Sequence, residues 1–180
     1  EAEVNLKRRM VQVGFMRHYD PQHVAVKNAL TADEVGRPIL YKGVHRNREP
    51  QVTARSPGSS EDDFARTVIV NSAIHDLDSC RWFLEQEIES VFVQGVNTDP
   101  ALGHDAFDLI TIHLSLSNGC LGMIEVYVNA EYGYEVGVEI VGETGVVQTN
   151  PNEGRVLRSH RSVMQPVHQE WLDRFGDVYL

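Results

Sequence analysis

Between residues 88 and 149 the chain alternates apolar segments with turn signals so densely that it has to form a sheet. "IESVFVQGV" (88–96), "FDLITIHLSL" (107–116), "CLGMIEVYVNA" (120–130), "YEVGVEIVG" (134–142) and "GVVQT" (145–149) are rich in β-branched and aromatic residues. Such side chains suit a pleated, half-buried surface. Ser117-Asn118-Gly119 and Gly142-Glu143-Thr144-Gly145 read as hairpin turns, because Asn and Gly accept positive φ. Together they predict an antiparallel meander.

The first half predicts a strand over 10–16 ("MVQVGFM"), a helix over 21–30, a strand over 39–47 ("ILYKGVHRN") and a helix over 71–84, with a long loop over 48–63. Many strands and few helices predict an α+β fold, an open, mainly antiparallel sheet with helices on one face. A chain of 180 residues suits a single domain over 1–180. In 107–116, Phe107, Leu109, Thr111 and His113 alternate with Asp108, Ile110, Ile112 and Leu114, a mixed pattern that suits an outer face meeting either water or a second subunit.

The second helix carries two stripes. At about 100° per residue, Ala73, Leu77, Cys80 and Leu84 line up as a face to bury, and Asn71, His75, Asp78 and Trp82 line up beside it. Asn71 or Ser72 is expected to cap the start. The polar stripe is either a solvated face or the wall of a site.

Composition excludes several classes of function. The formal net charge of −10 argues against general affinity for nucleic acid or anionic membrane. There is no apolar run long enough to cross a bilayer, and the charged opening "EAEVNLKRRM" has no signal-peptide core, so a cytoplasmic location is expected. Cys80 and Cys120 both lie in apolar segments and read as buried hydrophobes. No G-x-G-x-x-G, phosphate-binding loop or G-x-S-x-G elbow is present. His45, His75, Asp78, His104 and His113 are conceivable metal ligands, but no further His or Cys stands at a recognised spacing, so no metal is expected. Because the chain opens on Glu1, it is expected to be a piece of a longer protein.

Polar groups also gather where strands end: Arg17, His18 and Asp20; His45, Arg46 and Asn47; Tyr132 and Tyr134. Donors and acceptors in such a set suit a polyol, whose vicinal hydroxyls need both. Each has a structural reading beside this one: Arg17 can pair with Asp20, His45 can be an ordinary sheet residue, and Tyr134 an ordinary strand aromatic.

"MVQVGFMRHYDPQHVAVKNALTADEVGRPILYKGVHRN", then "IVNSAIHDLDSCRWFL", then "YGYEVGVEIVGETG" resemble, in that order, the C-terminal domain of the glucose-fructose oxidoreductase, inositol dehydrogenase and rhizopine-catabolism family. The resemblance implies a substrate-binding and oligomerisation domain whose nucleotide-binding partner domain holds NAD or NADP. It implies oxidation of a secondary hydroxyl of a cyclitol such as myo-inositol, or of a sugar, by a homo-oligomer built through the sheet face, with the isolated chain inactive. It further implies that His75 is the general base and that Arg17, His45, Asn47, Asp78 and Tyr134 contact substrate hydroxyls. One position departs: the family's catalytic aspartate, four residues before the histidine, is Asn71 here. An amide carries no charge to favour an imidazolium, which keeps open the alternative of a catalytically silent binding or regulatory module.

Overall fold

The computed structural model describes residues 13–48, 68–100 and 106–149, together with the two-residue strands Arg158–Ser159 and Ser162–Val163. Six strands form the main sheet: β1 (Pro38–Arg46), β2 (Ile88–Val96), β3 (Leu109–Leu116), β4 (Leu121–Tyr127), β5 (Glu135–Gly142) and β6 (Val146–Gln148). Their order is β2-β3-β4-β1-β5-β6. Every neighbouring pair is antiparallel except β1 with β4, which run parallel. The predicted meander therefore holds for β2-β3-β4 and for β5-β6, and is corrected at the centre, where β1 lies between β4 and β5. Both predicted turns form. Gly119 takes φ +82° and Cys120 N–H is held by Asn118 Oδ1, while Gly142 N–H donates to Gly145 O across the β5-β6 turn.

Helix α1 (Pro21–Thr31) starts where Asp20 accepts the His23 N–H at 3.0 Å, with Pro21 at the first helical position, where its missing donor costs nothing. Helix α2 (Ile74–Leu84) continues without a break from a wide π-type turn over Ile69–Ala73. Val68 already has helical dihedrals, so neither Asn71 nor Ser72 caps the helix as the sequence suggested. It ends on Glu85 in the left-handed region, φ 52°.

The described end of the expected strand over 10–16, residues 13–16, is not a strand. Within the described part, 13–15 lack regular structure and Met16–His18 form a single 3₁₀ turn, which points Arg17 into the protein. Residues 10–12, residues 49–63 of the predicted loop, and His104 lie outside the described residues.

The core lies between one sheet face and the two helices. Tyr41, Ile110, Ile112, Leu114, Ile124, Val126, Val138 and Ile140 from the strands pack with Val26 of α1 and with Ala73, Cys80, Phe83 and Leu84. The buried stripe of the second helix is thus turned slightly from the predicted one, because Leu77 is only partly buried while Asp76 and Ser79 lie inside. The opposite sheet face is mixed. Arg46 bridges Glu125 (2.6 and 2.8 Å) and Glu135 (2.9 Å), while Phe92, Leu121 and Met123 stand exposed near the β2 edge.

Candidate active site

The site grows from one strand end and two turns. Along β1 the inward positions are Tyr41, Gly43 and His45, followed by the buried Asn47, whose backbone is fixed to Tyr127 O and Ala130 N. A side chain at position 43 would bring its Cβ to 2.8 Å from both Asp76 Oδ1 and Tyr41 Oη, so only glycine lets the start of α2 lie so close over the strand. In that space Asp76 is completely buried.

A carboxylate there needs compensation. It comes from Arg17, itself 1% exposed, whose Nη1 and Nη2 donate to Asp76 Oδ1 and Oδ2 at 2.6 and 3.0 Å. Burial alone would raise the Asp76 carboxyl, but Arg17's charge, followed by the contacts with His45 and Arg17, outweighs it and brings the group down to about 2. Arg17 therefore pairs with Asp76, not with Asp20, which caps α1. Nη2 of Arg17 also lies 3.1 Å from Nδ1 of His45.

His75 follows from this arrangement. Its ring stacks 6.3 Å from that of His45, and Phe15 meets it edge-on at 6.0 Å. Tyr134, at the entry to β5, stands edge-on to His45 at 6.0 Å. Burial first, then the charge of Arg17, lowers the His75 imidazole to about 4, so the ring is neutral throughout the physiological range and its nitrogen lone pair is available. Among the described residues its buried Nδ1 has no hydrogen-bond partner. Asp78 and Trp82 of the polar stripe are also half-buried: Asp78 binds His18 Nε2 at 2.7 Å, and His18 stacks on Trp82 at 4.3 Å. Asn71 is exposed one turn ahead of His75.

The structure thus brings Arg17, His45, His75 and Tyr134 together and places Asp78 beside them through His18. It gives Asn47 the next inward position on the strand. Two cavities, of about 290 and 250 Å³, lie on the far side of the sheet and touch none of these residues. Cys80 is inert, its thiol pushed up to about 12 by burial.

Residues 23–148 match the GFO/IDH/MocA C-terminal domain. The chain belongs to this family. As a GFO/IDH/MocA domain it is 49% identical over 180 residues to inositol 2-dehydrogenase of Rubrobacter xylanophilus, covering 100% of this chain and 49% of that protein. It is 35% identical over 179 residues to inositol 2-dehydrogenase of Paracoccus denitrificans, covering 99% of the chain and 50% of the relative. Among solved structures it is similar to myo-inositol dehydrogenase from Lactobacillus casei in complex with NAD(H) and myo-inositol, with a TM-score of 0.76, 30% identity, and coverage of 98% of this chain and 50% of that one. The chain spans about half the length of these relatives.

Two residues of this cluster escaped the sequence reading. Asp76 stands on the Ala73, Cys80, Phe83 side of the helix, where a wheel assigns hydrophobes. Phe15 lay within an expected strand. The signal for Asp76 was the lone Arg17, which once buried requires a carboxylate.

Proposed function

We propose that this chain is the substrate-binding domain of a longer NAD(P)-dependent oxidoreductase that oxidises a secondary hydroxyl of a cyclitol such as myo-inositol, and that it acts only together with its nucleotide-binding half. The observation that carries the reading is His75, a neutral imidazole on the half-buried polar stripe, backed by a buried guanidinium–carboxylate pair. Removing a hydride from a carbinol carbon makes its hydroxyl acidic, and a positioned base must take that proton. His75 takes it; His45, Asn47, Asp78 and Tyr134 supply donors and acceptors for the neighbouring hydroxyls. Arg17 acts from behind, through its charge.

The sequence has no G-x-G-x-x-G turn of the kind that opens a helix on a pyrophosphate, so the dinucleotide is assigned to the other half of the protein. When bound by the other half, the nicotinamide supplies the hydride acceptor. NAD is favoured over NADP by the L. casei relative, solved with NAD(H). The exposed Phe92, Leu121 and Met123 favour a homo-oligomer built through the outer sheet face. The catalytically silent alternative is favoured by Asn71 alone.

The test is a spectrophotometric assay of the full-length protein with NAD, NADP and a panel of cyclitols and sugars. NADH formation with myo-inositol or a stereoisomer is expected. No reduction of either cofactor by any of them would contradict the proposal.

A further inference from the structure

Asp76 has no step in the reaction above, yet it holds the guanidinium that touches His45. It is fully buried and grips Arg17 with both oxygens, at 2.6 and 3.0 Å. The guanidinium is thereby fixed in its plane, with Nη2 at 3.1 Å from His45 Nδ1. A guanidinium has only N–H donors and cannot accept, so across this contact Nδ1 must be the acceptor. A neutral imidazole accepting at Nδ1 carries its proton on Nε2. The other neighbour of Nδ1, Asp76 Oδ2 at 3.4 Å, would call for the opposite tautomer, and it is the longer contact.

We infer that Asp76 is a positioning residue which, by holding Arg17, fixes His45 as the Nε2–H tautomer, so that His45 is a hydrogen-bond donor to substrate oxygen beside the ring of His75. The same geometry explains Gly43, since a methyl group there would displace Asp76 Oδ1 and with it the guanidinium. The assignment of the donor role toward substrate rests on the dehydrogenase reading; the tautomer of His45 does not.

The experiment is long-range ¹H–¹⁵N correlation NMR of the full-length protein labelled with ¹⁵N-histidine, His45 being assigned with His45→Gln. The wild type is expected to show His45 with its proton on Nε2 and an acceptor-type Nδ1. Asp76→Asn, and Arg17→Lys, which keeps the charge but loses the two-pronged grip, are expected to convert His45 to a mixture of tautomers, while Asp78→Asn leaves it unchanged. A proton on Nδ1 of His45 in the wild type overturns the inference whether or not the variants fold. So does an unchanged His45 signal in folded Asp76→Asn. A wild type that oxidises no cyclitol but shows the Nε2–H ring contradicts the dehydrogenase reading and supports this one.

Discussion

Arg17 and Asp76 are separated by 59 positions in the sequence and meet as a two-pronged ion pair from which water is excluded. Removing one partner leaves a buried charge without compensation. Arg17→Met and Asp76→Leu are each expected to cost about 3–5 kcal/mol in urea unfolding, and the double variant less than the sum of the two. Single variants within about 1 kcal/mol of wild type would show that the pair is hydrated in solution.

The acid side of the stability curve follows from the same cluster. His75 is held at about 4 against an ordinary 6.5, by burial and by Arg17. Between those values the unfolded chain binds a proton that the folded chain does not, so this contribution is complete above pH 6.5 and is lost as pH falls toward 4. Asp76, held at about 2 against 3.8, adds a further loss below pH 3.8 in the same direction. The urea midpoint should therefore fall more steeply from pH 7 to pH 5 in wild type than in His75→Gln. Equal slopes would show that His75 titrates in the folded protein as it does in the unfolded chain, and is not held down by burial and Arg17.

Much of the sheet was legible because β3, β4 and β5 alternate strictly between inner and outer residues, and because Asn118-Gly119 and Gly142–Gly145 fix their turns. The insertion of β1 beside β4 was not legible, since nothing local in "ILYKGVHRN" records which distant strand it joins. His45, His75 and Tyr134 were found as polar residues at strand ends and on one helix stripe. Asp76 was missed because helical periodicity assigns its side of the helix to the core, which is where it lies; the carboxylate is tolerated there by Arg17, a contact visible only in three dimensions. At the described end of the expected strand, residues 13–16, the chain instead turns to bring the Arg17 guanidinium inward.

Asn71 stands one turn before His75, so Asn71→Asp places a carboxylate at i,i+4 from the imidazole. A negative charge favours the imidazolium, so the His75 transition should move up from about 4. Histidine NMR titration of the variant reads this directly. An unmoved transition would show that the exposed position 71 is screened from the ring.

Apolar side chains on the outer sheet face should behave as an interface. Leu121, 54% exposed, Met123 and Phe92 surround a cavity of about 290 Å³ on that face. Light scattering of the full-length protein is expected to report an oligomer, and Leu121→Lys with Met123→Lys to reduce its mass. An unchanged mass in the doubly substituted protein would place the interface elsewhere.

The central claim is that His75 takes the substrate proton, and the direct measurement is kcat for NAD-dependent cyclitol oxidation by full-length His75→Ala beside wild type. A fall of roughly a hundredfold or more, the scale of a lost general base, is predicted, with the circular dichroism spectrum and NAD affinity unchanged. A His75→Ala enzyme that turns over cyclitol at the wild-type rate would contradict the account.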